Sequence, residues 1–356
     1  MHLEDGHVPE SYRRYTGRKN WLLFWGLLLL LLLLLLSISL GSVKIPIAEI
    51  FKALLTGGGS EQIRTILFSI RLPQALAAIA AGAGLSVAGA AMQSILRNPL
   101  GSPFTLGISN AAAFGAAFSV MFLNSGAMQS TLTGSISVTN LYTTTISAFI
   151  ACILAAAVIL IISRLRRASP EVMILSGVAL ASLFTAGTMF LQYLADDVQL
   201  AAMVFWTFGD LARASWRELG VISAVTAASS IYFLMNRWNY NAIDAGDETA
   251  QGLGVSVARK RMAGMLVAAL VTATVISFVG VIGFVGLVAP HIARRLLGDD
   301  NRFLIPGSMI TGGILLLGAD TVARTVLAPQ VLPVAILTAF VGAPVFIILL
   351  VRGYRR

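Results

Sequence analysis

The stretch "AGAGLSVAGAAMQSILRNPLGSP", from Ala81 to Pro103, joins a run of small residues to a polar turn. Lipid provides no hydrophobic force between helices, so Gly and Ala at these spacings predict helices whose backbones approach closely. Pro99 and Pro103 lack amide donors and bias the preceding residues away from helix. We therefore expect a closely packed helix that ends at "RNPLGSP", with Pro103 starting the next helix.

The rest of the chain is equally apolar. Its 356 residues are 57% hydrophobic and 12% charged, and the mean hydropathy is +0.85, whereas soluble domains contain about 25% charged residues. This composition predicts an integral membrane protein. The net charge of +9 comes from cations at the ends of apolar segments and not from a basic patch, so nucleic acid is not an expected partner.

The apolar runs predict about ten membrane helices, because a span needs about 20 mostly apolar residues. The first run has a leucine stretch too long for a cleaved signal and no A-x-A site after it, so it is expected to be retained. No soluble domain of useful size is visible. The chain is therefore expected to have a tail at 1–20 and one all-helical transmembrane domain at 21–356, with spans at about 21–40, 73–96, 104–123, 144–163, 171–194, 216–235, 262–278, 281–297, 304–322 and 333–351.

The distribution of cations predicts the orientation. With ten spans both termini lie on one side, and that side carries 18 of the 25 Lys and Arg residues. Because cytoplasmic loops carry the excess of Lys and Arg, both termini are expected in the cytoplasm. The polar stretch at 124–140 is then an exposed connection on the outer side.

Catalytic and nucleotide-binding motifs are missing from the sequence. There is no G-x-x-x-x-G-K-[ST], no H-E-x-x-H and no G-x-S-x-G, so neither a P-loop nor an intramembrane enzyme is supported, and no metal site or catalytic residue is predicted. Asp320 is the clear ionisable candidate within a span. Arg324 follows four residues later, so the two form either a structural ion pair or part of a coupling-ion site.

The segment at 236–261, "NRWNYNAIDAGDETAQGLGVSVARKR", is long and polar for a loop in a compact bundle. Asp244 or Asp247 can cap a short helix with Glu248 in its first turn, and Gly252 or Gly254 can end it. An ordered cytoplasmic helix indicates a docking element, and a solvated connector is the alternative.

Several longer motifs resemble the FecCD-like permeases, which are membrane subunits of ATP-binding-cassette (ABC) importers for iron–siderophore complexes, haem and cobalamin. The resemblance covers about Trp21 to the C-terminus and rests on "RLPQ" at 71–74, "GAGLSVAGAAMQSILRNPLGSPFTLGISNAAAFGA" at 82–116, "GDETAQGLGV" at 246–255, "GFVGLVAPHIARRLLGDDNRFLIP" at 283–306 and "GAPVFIILL" at 342–350. It implies the fold of a type II ABC importer permease with ten helices in each subunit. It also implies a homodimer or a pair of related permeases, two cytoplasmic ATPases and an extracytoplasmic binding protein.

The resemblance assigns roles to particular residues. It implies that a segment at about 236–258 couples to the ATPase, that an inner gate closes at two turns, and that two outer arginines contact acidic residues of the binding protein. The turn at 98–100 has the alternative of being only a tight helix hairpin. The coupling residues are Asp244, Gly246, Asp247, Glu248, Ala250, Gly252 and Gly254; the gate residues are Asn98, Pro99, Leu100, Ser169, Pro170 and Glu171; the docking residues are Arg71 and Arg324.

Three positions depart from the family pattern. Gln74 stands where a second Arg often follows the Pro, Val331 replaces a usual Glu, and Ala335 replaces a usual Gly. These changes affect the details of docking and of the last outer turn.

The expected function is import of a chelated metal, with a ferric siderophore as the first candidate and haem or cobalamin as alternatives. A secondary carrier that uses Asp320 is the rival from another class, and a lipid-facing structural protein without transport is a third possibility. No cofactor is expected on this chain, since ATP and Mg²⁺ are expected to be used by the partner ATPase. The expected location is the cytoplasmic membrane of a bacterium or archaeon.

Overall fold

The computed structural model describes residues 10–41, 45–123, 141–166, 168–328 and 330–353. The outer connection predicted at 124–140 and the first nine residues of the predicted tail lie outside these ranges. Within them every regular element is helical. The α-helices are α1 Glu10–Ser39, α2 Ile47–Thr56, α3 Glu61–Thr65, α4 Leu72–Leu96, α5 Ile108–Phe122, α6 Leu141–Leu165, α7 Pro170–Leu194, α8 Asp197–Thr207, α9 Trp216–Met235, α10 Arg237–Asp244, α11 Asp247–Gly252, α12 Val257–Val279, α13 Val285–Leu297, α14 Asn301–Val326 and α15 Val334–Gly353.

Each of the ten predicted spans corresponds to one helix, namely α1, α4, α5, α6, α7, α9, α12, α13, α14 and α15. In the described part of the chain, seven helical segments are long and apolar enough to cross a membrane. α5 and α13 are shorter than these seven, with 15 and 13 residues of helix, and the described apolar part of α15, Val334–Ile348, is also shorter. α3 and α4 form one continuous segment through a π-helical stretch at Ile66–Arg71.

α4 is the central helix of the bundle. In its most apolar window 83% of the residues are buried, compared with 17% in α1 and 11% in α7. The glycines of α4 make this position possible, because a Cβ atom on Gly82 would lie 2.3 Å from the Gly312 carbonyl oxygen and one on Gly89 would lie 1.7 Å from the Gly286 carbonyl oxygen. Only a residue without a side chain permits such contacts, so the glycines pack α4 against α13 and α14, as the opening stretch predicts.

Helix termini gather into two polar ends. At one end the start of α14, the end of α4, and α10 meet through side-chain hydrogen bonds. Tyr12 of α1 also contacts Arg302 at this end. At the other end the last turn of α1 meets the start of α4 and the last turn of α14. This arrangement agrees with the alternation expected for spanning helices.

One predicted helix start is wrong. Pro103 begins a hydrogen-bonded turn, in which the Ile108 amide donates to the Pro103 carbonyl oxygen at 3.4 Å, but α5 itself begins at Ile108. Gly107 has a φ of +78°, so the backbone reverses once more before the helix starts. Proline provides a suitable first residue for a helix, and the following left-handed glycine moves that start by five residues.

Candidate functional site

The polar segment between α9 and α12 is ordered as two short helices, α10 and α11. They meet at Gly246, whose φ of +124° favours glycine. Ala250 is fully buried, whereas Glu248, Thr249 and Leu253 are exposed, Leu253 to 70%. α11 ends at Gly252, as predicted, and Gly254 follows in the left-handed region at φ +82°. The segment therefore presents a small exposed surface on a supported base, and its docking role stays a prediction.

The predicted capping role of Asp244 and Asp247 is wrong. The N-cap position of α11 is Gly246, and no side chain caps the helix. Asp244 is the last residue of α10 and Asp247 is the first of α11. Both carboxylates instead bind side chains of other helices, and tertiary partners compete successfully with local capping.

Arg261 of α12 joins the coupling segment to two other parts of the chain. Its Nη2 lies 2.9 Å from Oδ1 of Asp247, and Nη1 lies 3.1 Å from Oδ2. Its Nε donates to the Ile95 carbonyl oxygen at 2.8 Å, and Nη1 donates to the Ala168 carbonyl oxygen at 3.1 Å. The side chain is 2% exposed, so a planar fork of charged donors lies buried between α11, the end of α4 and the turn before α7.

Sequence reasoning missed Arg261, although the pattern contains a signal. Val257, Arg261, Gly264, Met265 and Ala268 are all buried and recur at helical spacing along α12. An arginine within such a stripe needs buried acceptors, and the sequence does not show which acceptors the fold supplies.

Asp244 occupies a second network at the same end. Its Oδ2 accepts hydrogen bonds from the Ser94 hydroxyl at 2.9 Å and from the Asn301 side-chain amide at 3.0 Å. The Asn301 amide also donates to Oδ1 of Asn241 at 2.9 Å. Burial raises the pKa of the Asp244 carboxyl above its usual value, and the hydrogen bonds from Ser94 and Asn301 oppose that rise. α10 is thus attached to the end of α4 and to the start of α14.

The first predicted gate turn follows α4. Arg97 adopts a left-handed conformation with φ +48° and ends the helix. The Asn98 side-chain oxygen accepts a hydrogen bond from the Leu100 amide at 2.8 Å, which folds Asn98, Pro99 and Leu100 into a tight turn. Leu100 is 40% exposed, so an apolar side chain projects from an ordered backbone.

The second predicted gate turn precedes α7. Ala168 is left-handed at φ +55° and 1% exposed. Ser169 takes the N-cap position, Pro170 is the first helical residue, and the Ser169 hydroxyl donates to the Glu171 carboxylate. This turn and the end of α4 both accept hydrogen bonds from Arg261. In both turns the predicted gate residues therefore lie a few positions after a carbonyl group that Arg261 binds. Gating itself stays a prediction.

A half-open polar cavity of about 400 Å³ lies between the first gate turn and the coupling segment. Asn98 and Pro99 line it, together with Asp244. Across the cavity Arg294 pairs with Asp299 at 2.8 Å. The cavity brings predicted gate residues and a predicted coupling residue into one water-accessible space.

At the opposite end, Arg71 and Arg324 are held within the bundle. Arg71 is 4% exposed and donates to the Ile38 carbonyl oxygen at 2.6 Å. Arg324 Nε lies 2.9 Å from Asp320 Oδ2, and its Nη2 donates to the Ser37 hydroxyl at 2.7 Å. The structural ion pair of Asp320 and Arg324 is present as predicted. In this conformation neither guanidinium faces outward, so docking to a binding protein stays a prediction.

Gln74 belongs to the same outer network. Its side-chain amide donates to Asp320 Oδ1 at 3.0 Å, and the residue is 4% exposed. Arg324 and Gln74 thus each bind one oxygen of the buried carboxylate. The departure from the family pattern at position 74 is accommodated by this contact. Val331 is 62% exposed and Ala335 is half-buried in the first turn of α15, and the described part of the chain shows no compensating contact for either.

Together, the fold and the site define a polytopic membrane protein with an ordered polar helical segment at one end. Residues 29–352 match the model of the FecCD transport family. An ABC transporter permease protein from Methanocaldococcus jannaschii is 51% identical, over 98% of this chain and 99% of that protein. The hemin transport system permease of Yersinia pestis is 35% identical over 92% of this chain and 94% of its own length.

A solved structure agrees with these relatives. It is described as an inward-facing conformation of a metal-chelate type ABC transporter, and it is 29% identical with a TM-score of 0.80 over 94% of this chain and 99% of that chain. The chain belongs to the FecCD transport family of ABC importer permeases, and its fold is that of a type II importer permease.

Proposed function

We propose that this permease imports a chelated metal, with a ferric siderophore as the first candidate cargo and haem or cobalamin as alternatives. Two observations support a chelated metal. The Yersinia relative is named for hemin, and the matching solved structure is described as metal-chelate type. Both cargoes hold a metal inside an organic ligand, and ferric siderophores belong to the same chemical class.

The observation that carries the proposed mechanism is the position of Arg261. It binds the coupling segment through Asp247, while its other donors hold the Ile95 and Ala168 carbonyl oxygens beside the two gate turns. A displacement of α11 by a partner protein would therefore be transmitted to both turns. Packed helices transmit such a displacement as nearly rigid bodies.

The proposed assembly contains a second permease copy, two cytoplasmic ABC ATPases and an extracytoplasmic binding protein. ATP and Mg²⁺ would be used by the ATPases, and this chain would hold no cofactor. The exposed face of α11, with Glu248 and Leu253, is the proposed contact with the ATPase. The proposed orientation places α10, α11 and both termini in the cytoplasm, because that side carries 18 of the 25 cations.

The rival function, an ion-coupled carrier that uses Asp320, has less support. Arg324 and Gln74 occupy both oxygens of the carboxylate at 2.9 and 3.0 Å. A coupling site must exchange its ion during each cycle, and a carboxylate saturated by a cation and an amide is poorly suited to that exchange.

The function is tested by reconstitution with the partner ATPases and the binding protein from the same genomic neighbourhood. Cargo accumulation in proteoliposomes should require ATP, and the permease alone should be inert. Replacing Asp247 and Glu248 together should abolish uptake while ATP hydrolysis by the complex continues. Unchanged uptake in that variant, or accumulation by the permease alone under an ion gradient, would contradict the proposal.

A sharper variant tests the exposed face of α11. Leu253→Asp should weaken assembly with the ATPase, because an exposed apolar side chain becomes charged at the proposed contact. Leu165→Asp is the matched control, since Leu165 is 78% exposed at the end of α6 and lies outside the coupling segment. Equal ATPase binding by both variants would show that α11 is not the contact.

The cargo is assigned by supplying radiolabelled ferric siderophore, haem and cobalamin to the complete system separately. We expect ATP-dependent uptake of the siderophore to exceed the other two. Uptake of haem or cobalamin alone would select that alternative and leave the importer assignment intact.

A further inference from the structure

An apolar groove follows α1 on the surface of the bundle, and we call it the α1 groove. It has a volume of about 420 Å³ and lies between α1, α13 and α14. Its walls include Leu22, Trp25 and Leu29 of α1, Leu296 of α13, and Ile310 and Thr311 of α14. Leu22 and Leu29 are seven residues apart, so the groove runs for about 10 Å along the helix axis.

Among the side chains that line the groove, that of Thr311 carries a hydroxyl group that could form a hydrogen bond with a polar ligand. The Thr311 hydroxyl donates to the Gly307 carbonyl oxygen at 2.8 Å and to the Ala289 carbonyl oxygen at 3.1 Å. The hydrogen-bonding capacity of this hydroxyl as a donor is therefore used by backbone carbonyl groups. Trp25, Leu29 and Leu296 are each more than half exposed. These walls suit a hydrocarbon chain that lies along the helices.

The chemistry changes at the end of the groove nearest the coupling segment. Lys19 lies one helical turn before Leu23, which lines the groove, and its Nζ lies against Gly298, the residue after Leu297 of the groove wall. Arg18 is exposed one turn before Leu22. One end of a hydrocarbon-lined groove thus carries two adjacent cations.

Lys19 is unusual because it is only 6% exposed. Its ammonium group donates to the Tyr15 hydroxyl and lies 3.9 Å from the Tyr15 ring centre and 5.0 Å from that of Phe303. Within the described ranges, no carboxylate oxygen lies within 4.0 Å of it. A buried ammonium group without a counter-charge is costly, so an anion at this end would complete the site.

We propose that the α1 groove binds one hydrocarbon chain of an anionic phospholipid, with its phosphate beside Arg18 and Lys19. An amphiphile with an anion at one end and hydrocarbon at the other satisfies both halves of the site. A second copy of this chain that packed here through α1 would not, because a two-fold contact would bring its own Arg18 and Lys19 beside these cations.

The charged half of the site is tested with purified protein in detergent and equal amounts of phosphatidylglycerol and phosphatidylcholine. The lipid retained by each chain is counted by native mass spectrometry. Each cation near an anionic lipid contributes about a fivefold preference, so the double variant Arg18→Gln, Lys19→Met should lose about 25-fold of the selectivity for phosphatidylglycerol. Arg259→Gln is the control, since Arg259 is an exposed arginine at the start of α12, away from the groove. Undiminished selectivity in the double variant would overturn the proposal.

The apolar half is tested with a matched pair of glycines in α1. Gly26 lines the groove, and a Cβ atom there would lie 3.1 Å from Ile310 Cγ2, whereas a Cβ atom on Gly17 would have nothing within 4 Å. Gly26→Leu should fill the groove and reduce retention of both lipids, and Gly17→Leu should retain them. Equal retention by the two variants would refute the site. A change of oligomeric state in Gly26→Leu with normal lipid retention would identify the occupant as a second copy and refute it as well.

Discussion

Replacing Arg261 with methionine should separate the coupling segment from both gate turns. Methionine keeps much of the aliphatic volume but has no donors. The Ile95 and Ala168 carbonyl oxygens then each lose a charged donor, and Asp247 loses its bidentate partner. The side chain that is lost is 2% exposed, so water replaces it poorly.

The expected loss of stability can be estimated from these contacts. Leaving a buried acceptor without its donor costs about 1–3 kcal/mol. The ion pair contributes less, because the Asp247 side chain is 36% exposed and regains water, so we assign it about 1 kcal/mol. The total loss for Arg261→Met, with two orphaned acceptors and one lost ion pair, is then roughly 3–7 kcal/mol. Asp247→Asn removes the negative charge that faces Arg261 and, at 4.0 Å, Arg97, but its amide oxygen can still accept from Arg261, so it should cost about 1 kcal/mol.

The assay compares unfolding of four purified proteins in one detergent, followed by ATP-driven uptake after reconstitution with the partner subunits. Arg261→Met should unfold first, Asp247→Asn should lie near the wild type, and Arg259→Met should match it, since Arg259 is exposed two residues earlier on the same helix. Uptake by Arg261→Met should fall at a temperature at which the protein is still folded, while ATP hydrolysis continues. Wild-type stability and uptake in Arg261→Met would refute the transmission of displacement through this side chain.

Further predictions address the two polar ends and the central helix. Because burial raises the pKa of Asp244 in the folded state, stability should fall as pH rises from the usual aspartate value of 3.8 through the raised value, and Asp244→Asn should lack this dependence in unfolding measured against pH. Gly89→Ala should prevent close packing of α4 on α13 and reduce the yield of monodisperse protein, whereas Gly220→Ala, whose Cβ meets nothing within 4 Å, should be neutral or stabilising. Arg324→Gln should lower the melting temperature by leaving Asp320 without its cation, and adding Asp320→Asn should restore part of the loss; no recovery would argue against the pair. Arg324→Glu should also weaken association with the binding protein if that arginine turns outward on docking, and unchanged affinity would remove Arg324 from the contact.

The sequence predicted the helices better than it predicted their partners. Apolar runs located all ten predicted helices, because burial in lipid demands about 20 apolar residues in a row. α2 and α8 were missed, since they are 10 and 11 residues long and short helices give no such signal. The start of α5 was placed five residues too early because the left-handed Gly107 follows Pro103.

For the site residues, too, the sequence indicated positions better than contact partners. Motif similarity pointed to the segment at 236–258 and to the turns at 98–100 and 169–171, whose coupling and gating roles stay predictions, but local capping rules gave the wrong role to Asp244 and Asp247. Each carboxylate has its partner on another helix, Asp247 at 14 residues' separation and Asp244 at 57 from Asn301. Such pairings depend on how the helices pack, and one sequence without its fold does not determine them.

The arrangement of contacts also indicates which parts of the bundle move together. α4 and α14 are joined by glycine contacts in their middle, by Asn301 with Ser94 and Asp244 at the coupling end, and by Gln74 with Asp320 at the outer end. Three separate attachments along one helix pair oppose both sliding and tilting. α7 is attached instead to α5, where the Asn110 side-chain amide donates to the Thr185 hydroxyl at 2.8 Å, and Gly177 packs against Leu106 just before α5. Its connection to the coupling end runs through the Ala168 carbonyl oxygen and Arg261. A force applied at α11 should therefore shift α7 relative to a rigid pair of α4 and α14. Distances between spin labels should change between α7 and α4 during the ATP cycle and stay constant between α4 and α14, and the opposite result would contradict this assignment of rigid and moving parts.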